Sequence, residues 1–128
     1  MIAIDTNVLL RVLVDDPDAP EQCRHAREVL IGAGKARIAA IVFAEAIWVL
    51  HKSYKASRTE VARIANEVLN HSRYSVDNES LLKSALEIFA ASNVDFSDAI
   101  ALADARQASL PLHTFDRKLA RLEGAVAC

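Results

Sequence analysis

Two rhythms of apolar residues run through this chain. Short apolar runs, beginning with Met1 to Ile4, have the length of buried strands. Between them, apolar residues recur every third or fourth position, as on one face of a helix. The first run stops at Asp5, and Asn7 to Val14 then reads as a short helix ended by Asp15, Asp16 and Pro17. Asp18-Ala19-Pro20-Glu21 resembles a capping box with proline early in the helix. That helix carries Ala26, Val29 and Leu30 and stops at Gly32 or Gly34.

Ala36 to Ala39 forms the next strand candidate, followed by a helix from Ile41 to Tyr54 that is apolar on almost every side. Ser57-Arg58-Thr59-Glu60 is a second capping box, opening a stripe at Val61, Ile64, Ala65, Val68 and Leu69. Arg73 to Val76 reads as a third strand. Asp77 is the expected cap of a helix with Leu81, Leu82, Ala85, Leu86 and Phe89 inward. Asp95 to Gln107 is a further helix, and Leu110 to His113 a fourth strand weakened by Pro111. Arg117 to Leu122 makes a short helix and Ala125 to Cys128 a fifth, edge strand. Strands alternating with helices predict an α/β domain, a mainly parallel sheet of four or five strands with helices on both faces. Residues 1–128 read as a single domain, with no repeat or linker.

Composition narrows the class. Of 128 residues, 52% are hydrophobic, and only 3 Gly and 3 Pro occur, which suits a packed core and argues against disorder. A formal net charge of -2 gives no overall basic signature, so any contact with nucleic acid must come from local patches or bound cations. The 2 cysteines, Cys23 and Cys128, lack CxxC spacing and support neither zinc nor a disulfide framework. Cys23 is expected in the core and Cys128 loose at the end. The first apolar run is interrupted at Asp5, so a signal peptide is not expected, and no run has membrane-spanning length. A cytoplasmic protein is the expectation.

Four carboxylates stand out from the acids of solvated faces and caps. Asp5 follows a strand directly, where it could cap the next helix or serve a site at the sheet edge. Glu45 is the one charge in its helix before His51 and Lys52. A helix apolar all round is buried, and a buried carboxylate needs a partner or a metal; the alternative is a narrow stripe carrying Glu45 and Lys52 to water. Asp98 could answer a cap at Asp95 or face a site one turn along. Asp116 follows a strand, where it or Thr114 could cap the last helix. In a parallel sheet such junctions gather at one edge. Carboxylates gathered there repel, and a cation relieves them. With no histidine or cysteine at ligand spacing, Mg²⁺ or Mn²⁺ is favoured over zinc.

Ile4-Asp5-Thr6-Asn7-Val8-Leu9-Leu10-Arg11, Phe43-Ala44-Glu45, Asp95-Phe96-Ser97-Asp98-Ala99 and Thr114-Phe115-Asp116-Arg117-Lys118-Leu119 occur in this order. Together they resemble the PIN-domain ribonucleases, specifically the VapC-type toxins of toxin–antitoxin pairs. The resemblance implies a PIN-like three-layer α/β/α fold and a metal-dependent endoribonuclease leaving a 5′-phosphate and a 3′-hydroxyl. It makes Asp5 and Asp98 the principal metal ligands, Glu45 and Asp116 the remaining acids, and Thr6 or Asn7 and Thr114 their supports. It also implies a homodimer and a cognate antitoxin. One departure is Ala40-Ile41, where many relatives have a hydroxyl residue.

The chemistry is phosphodiester hydrolysis with Mg²⁺ activating water and holding the phosphate. Arg11, Arg117 and Lys118 are the leading RNA contacts, with Lys52, Lys55, Arg58, Arg106 and Arg121 further candidates. Aromatics at 5% argue against extensive base stacking. The stripes Val61 to Leu69 and Leu81 to Phe89 exceed what one side of a small sheet needs and are expected in part at a dimer or antitoxin interface. Two rivals remain. A haloacid-dehalogenase-type phosphatase wants a second aspartate where Asn7 stands, and a receiver domain wants an acidic pair and a late lysine. A non-catalytic PIN-like RNA- or partner-binding module fits less well, because all four acids are present.

Overall fold

A computed structural model describes every residue, Met1–Cys128. Five strands alternate with seven helices: β1 (Ile2–Ala3), α1 (Thr6–Leu13), α2 (Pro20–Ala33), β2 (Ala36–Ile38), α3 (Ala40–Lys52), α4 (Arg58–Asn70), β3 (Tyr74–Val76), α5 (Glu79–Ala91), α6 (Phe96–Gln107), β4 (Leu112–Thr114), α7 (Arg117–Ala120) and β5 (Ala125–Ala127). The expected α/β architecture with parallel strands is present. The strands are hydrogen-bonded as two sets, β1-β2-β3 and β4-β5, rather than as one continuous ladder.

Register lines up one edge. Ile2 pairs with Ala36, and Ala36 with Tyr74. Beyond the strand ends, Ile4 N–H donates to Arg37 O at 3.2 Å and Asp77 N–H to Ile38 O at 3.0 Å. Asp5, Ala39 and Asp77 therefore leave the three-stranded set at its carboxyl edge. In the second set Cys128 N–H donates to Thr114 O at 2.8 Å, two residues before Asp116.

Helix ends follow local chemistry, with three corrections. Asp18 does not cap α2. Ala19 holds that position without a side-chain bond, while Asp18 N–H donates to Asp16 Oδ1 at 2.9 Å. Asp16 is itself fixed by the Tyr54 hydroxyl at 2.8 Å, so it closes the turn. Asp77 does not cap α5 either; it lies 3.4 Å from Arg37, and Asn78 starts the helix from a left-handed φ of 53°. Asp95 sits at the cap position of α6 without making the bond. Elsewhere Ser57 Oγ accepts from Glu60 N–H at 3.1 Å, Pro20 stands in the first turn of α2, and Gly34 ends it at a φ of 79° that a side chain would resist.

The core joins 25 buried residues. Phe89 is its hub. The rings of Phe96 and His51 meet it edge-on at 5.9 and 5.5 Å, and the Arg58 guanidinium lies 4.4 Å from its centre. The stripes on α4 and α5 are used here: Val61, Ala65, Val68, Leu82, Ala85, Leu86 and Phe89 are all buried. The expectation that these faces exceed the needs of the core is thus corrected, because α5 packs against both α4 and α6. Cys23 is buried as expected, and both cysteines are free. No helix is long and apolar enough to cross a membrane.

Candidate functional site

Asp5 acts first as a helix cap. Its Oδ1 accepts from Val8 N–H at 3.0 Å, leaving Oδ2 for other work. The bond that orients it comes from this backbone amide, and Thr6 and Asn7 do not supply it. Thr6 is buried beneath the turn, and Asn7 is exposed. Asp116 is built the same way. Its Oδ1 accepts from Leu119 N–H at 3.0 Å, and Thr114 Oγ1 accepts from Asp116 N–H at 3.0 Å. Thr114 thus steadies the backbone of Asp116, close to its expected part.

Asp98 lies in the first turn of α6, partly buried. Burial is the main reason its carboxyl titrates above the ordinary range; the negative charges of Asp116 and Asp95 push it further in the same direction. The fold has therefore brought Asp95, Asp98 and Asp116 within electrostatic reach of one another. Asp95 is partly offset by Lys52, 3.6 Å away.

Glu45 corrects an expectation. It is exposed, not buried, because Ile41, Glu45, Trp48 and Lys52 form a solvent-facing stripe on α3; Ile41 is 73% and Trp48 55% exposed. Only the far end of this stripe meets the acids. Lys52 reaches Asp95 at the start of α6, and the Phe43 and Phe96 rings meet at 6.2 Å. Glu45 stands two turns before Lys52, about 10 Å along the axis. Ala39 begins α3 with no side-chain bond, so the missing hydroxyl near Ala40-Ile41 leaves that cap unmade.

The donors are all carboxylate oxygens, the set a hard divalent cation takes. No three of them converge closely enough to enclose an ion by themselves. Asp95, Asp98 and Asp116 are the acids whose charges act on one another here. The repulsion around Asp98 is what a bound cation of any kind would relieve.

Among the cations, three candidates for RNA contact are occupied internally. Arg11 donates to Gln22 Oε1 at 2.9 Å, to the Tyr54 hydroxyl at 3.1 Å and to Asp16 at 3.4 Å. Arg58 donates to the carbonyls of Val94 at 2.7 Å and Phe89 at 3.1 Å. Arg106 donates to Glu123 O through Nε at 2.8 Å. All three hold the fold together and are not free phosphate ligands. Lys52 is paired with Asp95, while Lys55, Arg117, Lys118 and Arg121 remain exposed. Phe115, beside Asp116, is 86% exposed.

A cleft of about 370 Å³ opens between α1 and α2, with Asp5, Asn7 and Val8 on one wall and Gln22, His25 and Val29 on the other. Gln22 and His25 do not stand out in the sequence. Their spacing with Val29, i, i+3 and i+7, marks one helix face, and that is the only signal they give. A family model described as PIN domain matches residues 2–125. Comparison with curated proteins gave no match.

Proposed function

Because the chain belongs to the PIN-domain family, whose members are generally nucleases, we propose that it is a Mg²⁺-dependent endoribonuclease and the toxin of a toxin–antitoxin pair. The observation that carries this reading is Asp98, partly buried beside Asp95 and Asp116 in a parallel α/β fold whose first strand ends at Asp5. Asp5, Asp98 and Asp116 would hold the cation, with Glu45 of α3 as the remaining acid. A divalent ion bound there would supply an activated water and offset the charge on the scissile phosphate and leaving oxygen. Mn²⁺ is the expected substitute.

Chain residues do the rest. Asp5 and Asp116 each give one oxygen to a helix cap, which fixes the carboxylate before substrate arrives. Arg117 and Lys118 adjoin Asp116 and take the RNA backbone beside the acidic centre. The protein works as a homodimer in the cytoplasm, where its thiols stay reduced, and a cognate antitoxin silences it.

The test uses a substitution that separates capping from ligation. Asparagine caps helices as well as aspartate does. In Asp5→Asn, stability should stay within about 1 kcal/mol of wild type while Mg²⁺-dependent cleavage of an RNA oligonucleotide is lost. Undiminished cleavage by this variant overturns the reading; RNA bound but left whole by the wild type in Mg²⁺ and Mn²⁺ favours a non-catalytic binding module. Arg117→Ala with Lys118→Ala should weaken binding of all RNA sequences alike. It should also lower the slope of log affinity against log salt by about 0.7 for each phosphate no longer neutralised, without moving Tm.

A further inference from the structure

Two of the proposed ligands fix themselves, and the third does not. Asp5 and Asp116 each give one oxygen to the helix they begin. Asp98 stands in the first turn of α6, and Asp95, at the cap position of that helix, makes no capping bond. Lys52 reaches Asp95 only at 3.6 Å with both side chains about half exposed, and an ion pair of that kind contributes little. The start of α6 must be located by something else.

We infer that Arg58, at the beginning of α4, is a positioning residue for Asp98: its guanidinium ties the end of α5 to the start of α6 and so sets where the carboxylate stands. Asp98's part in the site rests on the nuclease reading; the tie itself does not. Arg58 Nη1 donates to Phe89 O at 3.1 Å and to Val94 O at 2.7 Å. Phe89 O is among the last four carbonyls of α5, which have no partner within their own helix, and Val94 immediately precedes Asp95. One side chain from a third helix therefore closes the link between α5 and α6. The guanidinium is kept in place by the Phe89 ring, 4.4 Å from its centre, and that ring meets Phe96, the first residue of α6, edge-on at 5.9 Å. Phe96 also lies 6.2 Å from Phe43, two residues before Glu45. Val94 and Phe96 are both buried, so the link cannot slide without disturbing the core. Asp98 follows Phe96 by two residues and moves with it. A displacement of about 1 Å in a catalytic group can cost a hundredfold in rate, which makes the tie matter to chemistry as well as to folding.

The experiment compares Arg58→Met with Val68→Ala, a core truncation about 15 Å further along α4 that also lowers stability. The first measurement needs neither metal nor RNA. In EDTA, exchange of the Ala99 N–H, which donates to Asp95 O at 3.0 Å, is read relative to the slowest core amides of the same protein. This ratio should rise about tenfold in Arg58→Met and stay at the wild-type value in Val68→Ala. The second measurement is cleavage in Mg²⁺ below the melting transition of each variant. Arg58→Met should lower kcat about tenfold and raise the Mg²⁺ needed for half-maximal rate, with KM for RNA unchanged, and Val68→Ala should do neither. Arg58→Lys, shorter but still able to donate to a carbonyl beside the ring, should lie between Arg58→Met and wild type in both; if Arg58→Met does not fold, it carries the same comparisons. An exchange ratio that is the same in the Arg58 variants and Val68→Ala overturns the proposal. So does a raised ratio with wild-type kcat and Mg²⁺ requirement, which would leave Arg58 a structural tie alone. A wild type that cuts no RNA defeats the nuclease reading by itself, since the exchange ratio still decides whether Arg58 sets the start of α6.

Discussion

Asp98→Asn should melt at a higher temperature than wild type when metal is absent, and should cleave RNA about a thousandfold more slowly. The two effects share one cause. Burial and the charges of Asp116 and Asp95 raise the carboxyl of Asp98 above its ordinary value of 3.8. Between that value and the raised one, the folded protein holds a proton that the unfolded chain has released. Stability therefore falls as pH rises through the window, and the deficit persists at neutral pH. Asparagine keeps the shape and removes the charge. Calorimetry in EDTA should show the variant a few degrees more stable at pH 7, with the two proteins converging at about pH 3. Mg²⁺ should raise the wild-type Tm through preferential binding to the folded state and leave the variant's unchanged. A thousandfold loss corresponds to ~4 kcal/mol of transition-state stabilisation. A variant that melts lower at pH 7, or that cleaves like wild type, would refute this account of Asp98.

The largest loss of stability is expected from Arg58→Met. Methionine preserves much of the stem that crosses Phe89 but removes the guanidinium from its face, 4.4 Å from the ring centre. It also removes both donors to Phe89 O and Val94 O, carbonyls that close the end of α5 and the approach to α6. Leaving partly buried carbonyls unpaired and removing the cation from the ring costs about 2–4 kcal/mol. For a domain this size that is a fall of roughly 10 °C in Tm. RNA affinity and its salt slope should be unchanged below the transition. A normal Tm with weakened, less salt-dependent binding would return Arg58 to the phosphate contacts.

What is legible in the chain is what neighbours in sequence decide. Asp5 and Asp116 cap helices within three residues of themselves, so strand, turn and carboxylate can be read together. Expectations fail where the deciding partner is far along the chain. Arg11 meets Tyr54 across 43 positions and Arg58 meets Val94 across 36, and nothing local distinguishes such arginines from free ones. Asp18 and Asp77 look like caps, but Asp16 and Arg37 claim the turn and the carboxylate. Glu45 misleads because Ile41 and Trp48 have core chemistry without a core position; which side of α3 meets water depends on where α1, α4 and α6 pack. The α4 and α5 stripes look like surplus only when one sheet face is counted and helix-on-helix contact is left out. Neither the break between the two strand sets nor the cleft at Gln22 leaves a signature at the level of residue type.

Trp48 is the chain's one tryptophan, and more than half of it already faces water beside Glu45. Its emission will therefore change little when the protein unfolds, since the indole moves from one aqueous setting to another. A fluorescence melt would understate both thermal effects described above, which belong to calorimetry or circular dichroism. The same indole becomes a selective optical probe of whatever settles over the exposed stripe of α3.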